Sequence, residues 1–161
     1  MSLTGPQPAS AERRLAELGI ELPPAPMPLG AYVECVQTGN LLYLSGVLPV
    51  MEHQPRFVGR LGREYEIEQG REAARLATLN ALSVARTHLG SLDKVTRIVK
   101  LTTYLATEND FSAHAKVADG ASELLRDVFG DGKLPVRMVL GVGSLPLGVP
   151  VVVEILFEAG V

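Results

Sequence analysis

The stretch LPVRMVLGVGSLPLGVPVVVEILFE, residues 134–158, decides how the chain is read. Two runs rich in Val, Leu and Ile flank a segment punctuated by Gly and Pro. They predict two β-strands, Val136–Val142 and Val151–Phe157, joined by GSLPLGVP. Strand side chains alternate between faces. In the first strand Val136, Met138, Leu140 and Val142 share one face, opposite Arg137, Val139 and Gly141. In the second, Val151, Val153, Ile155 and Phe157 share a face, opposite Val152, Glu154 and Leu156. The wholly apolar sets are expected to meet helices. The other face then mixes Arg137 and Glu154 with Val139, Val152 and Leu156. A guanidinium is costly to bury alone, so Arg137 is expected to hold either Glu154 or a bound carboxylate. A second subunit covering that face accounts for its mixed character, and it places Arg137 in a subunit interface near a cleft.

Working back from this stretch, NDFSAHAKVADGASELLRDVFG reads as a helix with Asp110 near its start and Gly130 at its end. KVTRIVKLTTYLAT reads as a strand from Val95 to Ala106. The strongest helix is EIEQGREAARLATLNALSVARTHLG. Ala73, Ala74, Ala77, Ala81, Val84 and Ala85 form a stripe of small residues there, suited to close packing on a sheet. Before it, MEHQPRFVGRLGREY reads as a polar loop with a short strand. YVECVQTGNLLYLSG reads as a hairpin turning at Gly39-Asn40. Residues 1–30 hold a short helix, with Ser10 as N-cap and Gly19 as stop, and then the stiff segment ELPPAPMPLG. Residues 31–161 form a single domain. Two long helices interrupting a mainly antiparallel sheet, and packed on one of its faces, make an α+β layer fold.

Composition narrows the function. A chain of 161 residues, 47% hydrophobic and 20% charged, is globular. The net charge of −3 argues against a domain that works by neutralising nucleic-acid phosphates. One cysteine, Cys35, permits no internal disulfide and no cysteine-based zinc site, and it suits a cytoplasmic setting. The N-terminus lacks the pattern of a signal peptide, and no apolar run is long enough to span a membrane. His53, His88 and His114 lie far apart, so no metal site is expected.

GAYVECVQTGNLLYLSGVLPV, followed much later by LPVRMVLGVGSLPLGVPVVVEILFE, resembles the YjgF/RidA family, and within it the longer branch grouped with chorismate-mutase-like putative endoribonucleases. The likeness runs from Tyr32 to Glu158. It implies a chorismate-mutase-like (YjgF-like) fold and a homotrimer with ligand clefts between subunits. It also implies hydrolysis of reactive enamine or imine intermediates to 2-oxo acids and ammonia, without a cofactor. On this resemblance Arg137 holds the substrate carboxylate, with SLP fixing the register. Tyr32 is the hairpin tyrosine. Ser45 and Gly46 line the cleft through their backbone, as does Val139, and Asp119 falls where shorter members carry a helix asparagine. The family's last strand carries E-x-E, whose first glutamate positions the attacking water. Val152 stands at that position here, and Glu154 is the second glutamate.

The expected function is therefore hydrolytic deamination of a 2-imino or enamino acid, with Arg137, Glu154 and Tyr32 as candidate catalytic residues. The alternatives are a non-catalytic binder of 2-oxo or other small carboxylic acids and, less favoured, an endoribonuclease. Glu154 is read either as a water-positioning group or as a partner for Arg137. Tyr32 is read either as a ligand contact or as packing with a wet tip. Cys35 is read as an inert thiol. The Arg56, Arg60 and Arg63 loop is read as a solvated surface, with acidic-ligand contact as the alternative.

Overall fold

The computed structural model describes residues 10–160. Ser10 caps α1 (Ala11–Glu17), accepting from the Arg13 amide at 3.1 Å. The helix is tied to the body of the protein. The Ser10 hydroxyl donates to Asp93, Glu12 accepts from the Leu92 amide, and Arg14 donates to the Asp127 carbonyl. Ala11 and Leu15 are buried in the main core.

The hairpin forms as predicted, with β1 (Cys35–Thr38) and β2 (Leu41–Leu44) turning at Gly39, whose φ of 59° suits glycine. The polar loop contains a second small hairpin, β3 (Val50–Met51) and β4 (Gln54–Pro55). Its turn residues Glu52 and His53 both adopt left-handed φ, at 51° and 63°. Helix α2 (Ile67–Leu89) starts where the Gln69 side chain accepts from the Glu66 amide at 3.0 Å, and it stops at Gly90. The alanine stripe is fully buried, as its spacing predicts.

Strand β5 (Val95–Ala106) leads through α3 (His114–Phe129) to β6 (Val136–Val142), and β7 (Val151–Ala159) closes the chain. Helix α3 begins four residues later than Asp110 suggests, because the residues before it are spent on a turn in which the Phe111 amide donates to the Glu108 carbonyl. The five-stranded sheet has the order β1-β2-β7-β5-β6. All its pairs are antiparallel except β5–β6, whose parallel pairing is what a helical crossover permits. Helices α2 and α3 lie together on one face. Among the described residues, no helix is long and apolar enough to cross a membrane.

The sheet registers correct one expectation. Strand β7 faces as predicted, with Val151, Val153, Ile155 and Phe157 buried under the helices. Strand β6 faces the other way. Leu101 of β5 is opposite both Ile155 and Arg137, so Arg137 shares the helix side with the core. Val136, Met138 and Leu140 lie on the opposite, uncovered face and are 68%, 49% and 44% exposed. The more apolar half of β6 therefore points away from this chain's own core. On the helix side Val139 packs against the core. A Cβ on Gly141 would lie 2.6 Å from His114 Nε2, so a larger residue there would displace the ring that crosses the strand. An ion pair between Arg137 and Glu154 is accordingly not formed, because the two side chains leave opposite faces of the sheet.

Candidate functional site

The candidate residues fall into two groups. The first surrounds a small recess of about 40 Å³ where the β1–β2 hairpin meets the proline segment. Tyr32, Glu34, Ser45 and Gly46 line one side. Met27, Leu29, Leu48, Val50 and Val84 make the rest apolar, with His53 also on its wall. The Tyr32 hydroxyl accepts from the Leu29 amide at 2.9 Å, so it anchors the proline segment and keeps its own proton free to donate. Asn80, buried on α2, holds the opposite wall by donating to the carbonyls of Leu48 at 3.0 Å and Val50 at 2.8 Å. Ser83, one helical turn further on, donates to the Pro23 carbonyl.

Val152 closes the apolar side of this group. It is buried against Leu48, Val50 and Val149, and a Cβ on Gly46 would stand 3.1 Å from its Cγ1. The residue at this place is thus packing, with no carboxylate chemistry to offer. Glu154 follows it on the same face, about 7 Å along the strand, and is exposed.

Residue counting from the turn at Gly39–Asn40 pairs Glu34 with Ser45, and the Ser45 amide donates to the Glu34 carbonyl at 2.9 Å. Beyond Tyr43↔Leu156 the β2–β7 register shifts by one residue, since Val47 pairs with Val153, so Leu44, Ser45 and Gly46 face Ile155 and Glu154 across a bulge. Glu34 and Ser45 are thus neighbours across the hairpin, beside that bulge. Glu34 is a recess residue that the sequence reading missed. The symmetry of the hairpin about its turn was the signal that could have found it.

The second group lies at the other edge of the sheet. Arg137 Nη1 donates to Asp119 Oδ1 at 2.7 Å and to Ser122 Oγ at 3.0 Å, both on α3. The side chain is 27% exposed. One terminal nitrogen is occupied, while the Nε–Nη2 edge of the fork carries no partner among the described residues. Such an edge matches the two oxygens of a carboxylate.

One chain does not bring the two groups together. Three inter-strand steps, about 14 Å, separate β2 from β6. Arg137 also turns toward α3, whereas Glu34 and Ser45 line a recess between the hairpin, the proline segment and Val84 of α2. Val139 is half-buried beside Arg137 on the edge strand β6, where its backbone is what it can offer a ligand.

The other singled-out residues settle into structural roles. Burial, and secondarily the Glu34 charge, push the Cys35 thiol above its ordinary pKa, so it is not an activated nucleophile. Arg60 turns inward to the Thr107 carbonyl, with its Nε 3.5 Å from Glu108, and Arg63 lies 3.6 Å from Glu64. Backbone hydrogen bonding holds the Glu64 carboxyl below its usual range. The imidazole of His88 meets Gln37 at 2.9 Å, and that of His114 stacks edge-on against Phe111. Among the described residues, no three of His, Cys, Asp and Glu converge as metal ligands.

The fold has counterparts in known proteins. A solved structure from Shewanella oneidensis MR-1, named as a putative endoribonuclease, superposes with a TM-score of 0.89 at 33% identity over 93% of this chain and 99% of its own. Protein TCP17 of Trypanosoma cruzi is 38% identical over 89% of this chain and 91% of its own length. A 2-iminobutanoate/2-iminopropanoate deaminase of Dermatophagoides farinae is 31% identical over 84% of this chain and 91% of its own. The model of the family described as YjgF/chorismate mutase-like, putative endoribonuclease, matches residues 12–159. With its sheet, helices and nearly full length accounted for, this chain belongs to the YjgF/chorismate mutase-like family.

Proposed function

We propose that this protein hydrolyses reactive 2-imino or enamino acids to 2-oxo acids and ammonia, in clefts formed between copies of the chain in a homotrimer. The observation that carries the reading is the open Nε–Nη2 edge of Arg137. Asp119 and Ser122 hold the guanidinium from behind, so the free edge is preorganised for a small carboxylate. The deaminase of Dermatophagoides farinae, 31% identical, supports the choice of substrate class. Assembly is supported by the uncovered sheet face. Val36, Tyr43, Val136, Met138 and Leu140 are each more than 40% exposed there, an apolar surface typical of an interaction site. A neighbouring copy is also what would bring a Gly46 recess to an Arg137 edge.

In this reading Arg137 clamps the carboxylate while backbone groups at Gly46 and Val139 orient the imine. Water then attacks the electrophilic carbon. Imines hydrolyse readily, so positioning supplies much of the acceleration. The buried Val152 favours one competing reading, a binder of 2-oxo acids that performs no chemistry.

The test couples a pyridoxal-phosphate-dependent threonine dehydratase to a 2-oxo-acid readout. Wild type should speed 2-oxobutanoate release, and Arg137→Ala should remove at least nine-tenths of that effect. Wild type that binds 2-oxobutanoate without speeding release selects the binder. Analytical ultracentrifugation should give a trimer, and Leu140→Asp should give a folded monomer. A wild-type monomer would overturn the cleft.

A further inference from the structure

We propose that Glu34 is the carboxylate that takes the proton from the attacking water, a role that Val152 cannot fill. This rests on the deaminase reading above. Three observations carry it. Glu34 lines the same recess as Tyr32, Ser45 and Gly46, and it is the one carboxylate on that wall. Hairpin pairing sets Glu34 beside Ser45, the residue next to Gly46, against which Val152 packs. Glu154, on β7, lies two inter-strand steps away, about 10 Å, and lines no part of the recess.

The apolar surroundings suit the task. Met27, Leu29 and Val84 keep the walls beside Glu34 apolar, so its carboxylate is a polar group there placed to take a proton from a trapped water. Tyr32 stands on the same wall with its proton available to hold that water from a second side.

The step balances with water as the co-reactant. The water oxygen forms a bond to the imine carbon, and the π pair moves to the protonated nitrogen. Glu34 accepts one proton from that water, leaving a carbinolamine. It returns the proton to the amine nitrogen. The C–N bond then breaks as the C=O bond forms, and the hydroxyl proton departs with ammonia as ammonium.

The experiment compares wild type, Glu34→Gln, Glu34→Asp and Glu154→Gln in imine hydrolysis, with 2-oxobutanoate affinity, assembly size and melting temperature measured for each. Glu34→Gln should lower kcat about 100-fold, leave KM and 2-oxobutanoate affinity within twofold, and abolish the acidic limb of the pH–kcat profile. Glu34→Asp, which sets the charge back by one methylene, should keep that limb at reduced kcat. It decides the matter if the Gln variant fails to fold, since unchanged kcat there overturns the role. Glu34→Gln retaining more than a third of wild-type kcat overturns it, as does a greater loss from Glu154→Gln. Both of those results leave the deaminase reading standing. A wild type that accelerates no imine overturns that reading and this role together.

Discussion

Arg137 Nη1 sits 2.7 Å from Asp119 Oδ1, so the guanidinium of the edge strand is held by the helix packed above it. Both side chains are partly exposed, at 27% and 43%. At that exposure the pair contributes only about 0.5 kcal/mol to stability. Its larger effect is on orientation, because it fixes which edge of the fork remains available. Asp119→Ala should therefore weaken 2-oxobutanoate binding by about tenfold while leaving the melting temperature within about 2 °C. Isothermal titration and calorimetry on the same sample check both. Unchanged affinity would mean that the guanidinium finds its pose without the helix.

Gly120 marks the closest approach of α3 to α2. A Cβ there would stand 2.3 Å from the Arg71 carbonyl oxygen, a backbone atom that cannot turn aside. Glycine to alanine inside a helix ordinarily stabilises by about 1 kcal/mol. Here overpacking dominates, and Gly120→Ala should destabilise by about 1–3 kcal/mol, lowering the melting temperature by about 3–10 °C. A rise on thermal denaturation would refute the close contact.

Asn80 is buried and satisfies two carbonyls of the recess wall. Asn80→Ala leaves both without their donor, at a cost of about 1–3 kcal/mol. The loss is local, so hydrogen exchange should accelerate first at Val50 and its neighbours, before the sheet. Uniform loss of protection across β5 and β7 would place the effect in the global core instead.

Cys35 gives a pH prediction. Its thiol is raised in the folded protein, first by burial and then by Glu34. The folded chain therefore favours the neutral thiol. That contribution to stability is fully present below the unfolded pKa of about 8.5 and is lost as pH rises through the folded value. Between pH 8 and 10, wild type should lose stability faster than Cys35→Ala, as measured by urea midpoints. Iodoacetamide should also modify the native thiol more slowly than free cysteine at pH 8.5. Equal slopes for the two proteins would refute the shift.

How far the sequence reaches is clearest at the two last strands. Alternation divides Val136–Val142 and Val151–Phe157 into two sets of side chains correctly, but it does not say which set faces which layer. In β7 the wholly apolar set is the buried one. In β6 the same rule fails, because an edge strand can turn its apolar side toward a surface its own chain does not cover. The residue that decides this is Leu101, which pairs with both Ile155 and Arg137 and so sets their common face.

Local signals were sufficient for the elements themselves. The alanine spacing determines the buried face of α2, Ser10 the start of α1, and Gly39-Asn40 the hairpin with its pairing of Glu34 to Ser45. These depend on periodicity and backbone conformation, which neighbouring residues control. The partner of Arg137 and the walls of the recess depend on contacts between segments far apart in the chain: Asp119 on α3, Asn80 and Ser83 on α2, and the proline segment. Only the tertiary structure decides them, because a side chain's partner is chosen by how whole layers pack, and one-dimensional spacing carries no record of that.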